Sequence, residues 1–195
     1  MTARAVRAIV MCFGSLHVFP CEGAGDVLAH YTTQHGKFRR RSAGVRTVKI
    51  ELSAVPRRKG TDYPQPFDAP CRERVRQALG DAAGLSDFGV NLLQLPPGAW
   101  SSQRHWHSAE DEFTWVLQGE VVLITDDGEE VLRAGDCAGF KAGVANGHHL
   151  QNRSNAPATV LEIGSRRADE DVCSYSDIDL QWGPAGIMHK DGTPY

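Results

Sequence analysis

The sequence predicts an all-β protein, a single antiparallel barrel or sandwich, and three observations carry that expectation. Strand-like runs recur at Phe88–Leu95, Phe113–Thr125, Glu129–Arg133, Gly147–Arg153 and Ala158–Ile163. Clusters of Gly, Pro, Asn and Asp punctuate them at short intervals, as in antiparallel barrels. Thr125-Asp126-Asp127-Gly128 is a hairpin signal, because Asp-Gly supplies the positive φ of a tight turn. No internal repeat is present, so one set of strands implies one barrel.

Taken in order, the chain opens with residues 1–43, expected to be a weakly ordered extension. Arg4 and Arg7 ahead of Ala8–Phe13 resemble the start of a secretory signal, but the apolar stretch is short and no small-x-small cleavage site follows. Residues 44–87 are expected to flank the barrel. Val48–Leu52 alternates apolar and polar residues and predicts a short strand. Pro56–Gly60 breaks it, Tyr63-Pro64-Gln65-Pro66 forbids regular structure, and Arg72–Gly80 predicts a short helix stopped by Gly80. The barrel is expected over 88–165 and a C-terminal tail over 166–195.

Composition excludes several classes of function. With 41% hydrophobic and 23% charged residues in 195, the chain has ordinary globular usage. The first 60 residues carry +8 and the rest −11, a basic leader on an acidic body with a total of −3. Nothing in that total suggests a grip on nucleic acid, and Lys37–Arg41 reads as a solvated basic run. No apolar run is long enough to span a bilayer as a helix. Five cysteines without C-x-x-C spacing indicate neither a disulfide framework nor a thiolate zinc site, so a cytoplasmic protein is expected.

The chemistry concentrates at His105-Trp106-His107. In a strand, side chains at i and i+2 share a face, so the two imidazoles project together and Trp106 points away. Glu112 follows after a polar stretch that turns the chain, and brings a carboxylate back over them. His148 in a later strand adds a third imidazole, with Asn152 on its face. Three neutral imidazoles and a carboxylate suit a divalent first-row metal, with Mn, Fe, Co, Ni and Zn all tolerable. Taken alone, an H-x-H pair more often marks surface or core histidines, and the Glu112 and Gly119 spacing is what shifts the balance.

These spacings resemble the cupin superfamily. Its first motif runs Gly, five residues, H-x-H, three or four residues, Glu, six residues, Gly. This chain has Gly98, six residues, His105-Trp106-His107, four residues, Glu112, six residues, Gly119. The second motif is Gly, five residues, Pro-x-Gly, two residues, His, three residues, Asn. Here it is Gly135, five residues, Lys141-Ala142-Gly143, four residues, His148, three residues, Asn152. Lys141 replaces the usual proline and the loop before His148 is two residues longer, which leaves His148 and His149 both open as the last ligand. The spacing to Asn152 favours His148.

The resemblance implies a jelly-roll type cupin barrel with metal ligands His105, His107, Glu112 and His148, and it tilts the expectation towards a homodimer. Trp106, Phe113, Trp115 and Leu117 alternate onto the face away from the ligands, where they either pack against flanking strands or, if exposed, mark a dimer interface. The wider wording is similar to small bacterial cupins, some labelled as sugar-phosphate isomerases. Two functions follow as expectations. One is a metal-dependent isomerase, epimerase or dioxygenase acting on a small polar molecule, with Gln103, Thr114 and Val116 lining its pocket. The other is a non-catalytic barrel that holds or senses a small ligand. No catalytic base is visible, since Lys141 and His149 read as solvated. A phosphorylated substrate would need an arginine in the pocket, and Arg104 and Arg153, which flank the ligands, point outward by strand parity.

Overall fold

A computed structural model describes residues 49–195. Thirteen strands run in the order β1 Arg58–Lys59, β2 Val75–Ala78, β3 Phe88–Leu95, β4 His105–His107, β5 Glu112–Gln118, β6 Glu120–Thr125, β7 Gly128–Arg133, β8 Cys137–Phe140, β9 His149–Gln151, β10 Ala158–Ser165, β11 Cys173–Tyr175, β12 Gln181–Gly183 and β13 Gly186–Met188. One helical turn, α1 Leu79–Ala82, follows β2. All pairings are antiparallel, in sheets ordered β1-β2-β3-β10-β5-β8, β13-β12-β11-β4 and β7-β6-β9. The all-β antiparallel jelly-roll barrel expected from the sequence is what forms. Among the described residues no helix is long and apolar enough to cross a membrane. The expected extension over 1–43 lies outside the described residues.

Alternation along each strand builds the core. Leu93 and Leu95 from β3, Val116 from β5, Val121 and Leu123 from β6, Leu150 from β9 and Ala158 and Val160 from β10 are buried together. Their neighbours in sequence point the other way, and Phe113, Trp115 and Leu117 are 38–45% exposed. Row by row across the sheet, Arg76 faces Leu93, which faces Val160, which faces Val116. The next row but one towards the mouth, Gly89–Gly164–Glu112–Phe140, ends in functional side chains.

Three expectations of local structure are corrected. Val48–Leu52 forms no strand in its described part; instead the chain turns through a 3-10 helix at Leu52–Ala54. That turn presents the carbonyls of Leu52 and Val55 to the buried Gln77 amide, at 2.8 and 2.9 Å. Arg72–Gly80 is not a helix, because Val75–Ala78 is taken as a strand by the free edge of β3, and Gly80 sits inside α1 rather than ending it. The tail from Arg166 does not merely flank the barrel. Cys173–Tyr175 pairs with His105–His107, and Tyr175 and Leu180 are buried in a second core with Tyr63, Phe67 and Ile187.

Gly119, the last glycine of the first motif, turns the chain from β5 into β6 with φ +77°, where a Cβ would stand 2.8 Å from the Pro157 carbonyl oxygen. Backbone strain and the clash act together there. Gly119→Ala is expected to destabilise the protein by about 1–3 kcal/mol, measured by urea unfolding. Unchanged stability would show that the turn relaxes freely.

Candidate metal centre

Strand parity and one turn assemble the site. β4 points His105 and His107 inward together, and β5 returns Glu112 against both. His148, bridged to His105 through paired backbone hydrogen bonds, closes the group from the opposite side. The Nε2 atoms of His105, His107 and His148 lie 3.7, 3.6 and 3.0 Å from Glu112 Oε2. One donor atom each from His105, Glu112 and His148 falls within 4.8 Å of the others. Donors sharing one ion at about 2.1 Å stand about 3–4 Å apart, so the spacing fits a divalent cation. Glu112 Oε2 is itself buried with no hydrogen-bond donor in good geometry, a costly state that ligation would relieve.

Tautomers are set from behind. His105 Nδ1 lies 2.8 Å from the Gln103 carbonyl and donates to it, which leaves its Nε2 lone pair facing the cluster. His107 Nδ1 lies 2.6 Å from Asp171 Oδ2 and donates to that carboxylate. Asp171 is held in turn by the backbone N–H groups of Ala109 and Glu110, at 2.8 and 3.3 Å, and by the Ser108 hydroxyl. A carboxylate behind a histidine orients the ring and raises its basicity as a ligand. The ring of His148 stacks on Phe140 with centroids 3.5 Å apart.

Burial and charge oppose each other in this group. Burial pushes His105 down to about 4, Glu112 resisting. For His107, burial is outweighed by Cys173, Glu112 and Asp171, and the ring rises to about 10. Burial would also raise Glu112, but the surrounding imidazoles, His148 foremost, hold it at about 2.

Of the four residues predicted as ligands, His105, Glu112 and His148 form one donor group, His107 reaches Glu112 but falls outside that group, and His148 rather than His149 is the one turned to Glu112. His149 is buried rather than solvated, with Nδ1 against the Ser102 carbonyl and its ring edge-on to Trp100. Gln103, expected in the pocket, instead donates to the Phe67 carbonyl. Lys141 and the Ala142 N–H both bind Asp111 Oδ1, so an aspartate holds the turn that proline usually stiffens. Arg104 pairs with Asp126 and Asp177, and Arg153 with Glu129, both outside the site as parity requires.

Sequence reading missed Asp171, Glu162, Arg74 and Arg76. The alternation of Asp171, Cys173 and Tyr175 was the available signal for the first. Two cavities meet at the cluster, both lined by His107 and Glu112. The larger, about 570 Å³, is lined also by Arg74, Arg76, Asn91, Glu162 and Tyr175; the smaller, about 340 Å³, by Trp106, Leu123, Phe140 and Val144. Glu162 stands opposite Thr114, one diagonal step from Glu112. Burial raises its carboxyl from 4.5 to about 7, against the pull of Arg74 and Arg76.

The strands and inward donors describe a β-barrel with a histidine and glutamate cluster at its mouth, and the chain belongs to the cupin superfamily. The family model of the Cupin domain matches residues 91–164. The chain is 45% identical to a Silicibacter pomeroyi cupin described as a sugar phosphate isomerase, with TM-score 0.72 over 76% of this chain and 96% of that one. A putative sugar phosphate isomerase from Acidithiobacillus ferrooxidans is 34% identical, with TM-score 0.53 over 56% and 69%. Comparison with curated proteins returned no match.

A carboxyl protonated up to about pH 7 in the fold but only to about 4.5 when unfolded favours the folded state at low pH, and loses that contribution as pH rises between the two values. In metal-free protein, the stability of the parent relative to Glu162→Gln is therefore expected to fall by about 1–3 kcal/mol from pH ~4.5 to ~7. Parallel denaturant-derived profiles across that window would refute the assignment.

Proposed function

We propose that this protein is a divalent-metal-dependent enzyme that rearranges a small polar molecule by proton transfer, as an isomerase or epimerase does. The observation that carries this is the convergence of three imidazole Nε2 atoms on a buried, unsatisfied Glu112 oxygen. His105, His107, Glu112 and His148 would hold the ion. When bound, a divalent metal polarises a carbonyl and makes the adjacent C–H more acidic. Glu162 on the same cavity wall supplies the base that the sequence did not reveal, poised near neutrality to accept a proton and return it. Asp171 keeps His107 turned towards the ion. The relative at 45% identity, described as a sugar phosphate isomerase, supports the same reaction class.

The fold leaves apolar side chains on the outer face of the large sheet. Leu92, Leu161 and Trp115 form one cross-strand row there, next to Phe113 and Leu117. A homodimer that covers this face is the proposed assembly, and free thiols at Cys71, Cys137 and Cys173 suit the reducing cytoplasm proposed as its location.

Elemental analysis of the purified protein should find about one divalent first-row ion per chain. His105→Ala, Glu112→Ala and His148→Ala should lose it, while His149→Ala keeps it. Asp171→Asn should bind it about 10–100-fold more weakly. Loaded protein should then catalyse solvent deuterium incorporation into a member of a panel of aldoses and ketoses, with and without phosphate. No metal at any supply would leave a non-catalytic binding barrel. For the assembly, sedimentation should show a dimer that Trp115→Asp converts to a monomer, and a monomeric parent would reject that interface.

A further inference from the structure

The larger cavity holds four arginines, and their partners differ. Arg58 is paired with Asp62, and Arg166 with Asp81. Arg74, just ahead of β2, and Arg76, within it, both line this cavity, and neither forms a salt bridge with a carboxylate among the described residues. Arg74 spends its guanidinium on the backbone carbonyls of Gly60 and Ser101 and lies 6.0 Å from the Tyr63 ring centre. The guanidinium of Arg76 has no hydrogen-bond or ion-pair partner among the described residues, although its side chain is half-buried. Burial and the neighbouring Arg74 work against its charge, more than Glu162 and Asp62 favour it. Guanidinium stays protonated in proteins, so the fold retains a desolvated and mutually repelling pair of cations.

We infer that Arg76, backed by Arg74, is the subsite for a dianionic phosphate monoester group on the substrate. Two adjacent cations with no carboxylate in ion-pair contact, Glu162 acting on both only through space, leave positive charge for an anionic group, and the planar fork of Arg76 matches phosphate oxygens. Placement sets the substrate's size. β2 lies three strand steps from β5, about 14 Å along the sheet, and both side chains reach inward to shorten the gap. A molecule several bonds long would place its phosphate on Arg76 and its reacting carbons beside Glu162 and the Glu112 cluster. Gly89 and Gly164, next to Glu112 in the same row, add no side chain of their own there, and the Arg166 guanidinium lies over Gly89. The inference rests on the metal-enzyme reading for its chemistry, but the anion site is testable without it.

The experiment is calorimetric titration of the full-length, metal-loaded protein with inorganic phosphate, repeated on Arg76→Gln, Arg76→Lys and His148→Ala, with metal content measured for each. The expected result is a dissociation constant raised at least ~10-fold in Arg76→Gln, a smaller change in Arg76→Lys, and unaltered metal content in both. Phosphate should still bind His148→Ala after its metal is lost. Equal binding by the parent and Arg76→Gln overturns the subsite. So does binding that vanishes with the metal and ignores Arg76, which would make phosphate a metal ligand and leave the metal-site reading standing. Arg76-dependent phosphate binding to a chain that never takes metal would uphold the subsite and reject the metal reading. Acetate or oxalate binding Arg76 as tightly as phosphate would overturn the phosphate assignment in favour of a carboxylate.

Discussion

Burying the Glu112 carboxylate costs free energy that only opposite charge or ligation can offset, and much of the surrounding structure serves that offset. Three imidazoles are brought against it from two directions. Each is restrained by something that is not a ligand: His105 by the Gln103 carbonyl, His107 by Asp171 and His148 by the face of Phe140. Such restraints matter because a metal site works only when its donors are held in position by their surroundings.

The C-terminal tail owes its place to this requirement. β11 pairs with β4 in register, Cys173 opposite His107 and Tyr175 opposite His105, so the edge that carries the histidine pair is covered by hydrogen bonds. Asp171, just ahead of β11, then reaches the ring of His107 and the 108–110 turn together. The second core formed by Tyr175, Leu180, Tyr63 and Ile187 anchors the tail against the barrel. Packing, strand pairing and ligand orientation are thus one construction at this end of the molecule.

Between the two cavities the cluster separates unlike surroundings. On one side it meets Arg74, Arg76 and Glu162, a polar wall with charges to offer a substrate; on the other it meets Trp106, Leu123, Phe140 and Val144. A small polar molecule would find its recognition on the first side. β2 supplies that recognition, and β2 sits on the barrel sheet only because the edge of β3 accepts it.

Sequence alone determined the barrel strands, the inward pairing of His105 with His107 and the return of Glu112, while the preference for His148 over His149 came from the resemblance to the cupin motif. These are local facts, governed by a two-residue period and by turns of fixed length, so a short window contains them. It also separated Arg104 and Arg153 from the site by parity. Tertiary structure alone decided the rest. Val75–Ala78 became a strand because an unpaired edge outweighs the helical tendency of a charged run, and that choice turned Arg76 into the cavity, which Arg74 just ahead of it also lines. Asp171 meets His107 across 64 positions of chain. Glu162 becomes a candidate base through the burial and neighbours that β10 finds between β3 and β5. Contacts of this kind depend on which distant strands lie side by side, and no local period in the sequence records them.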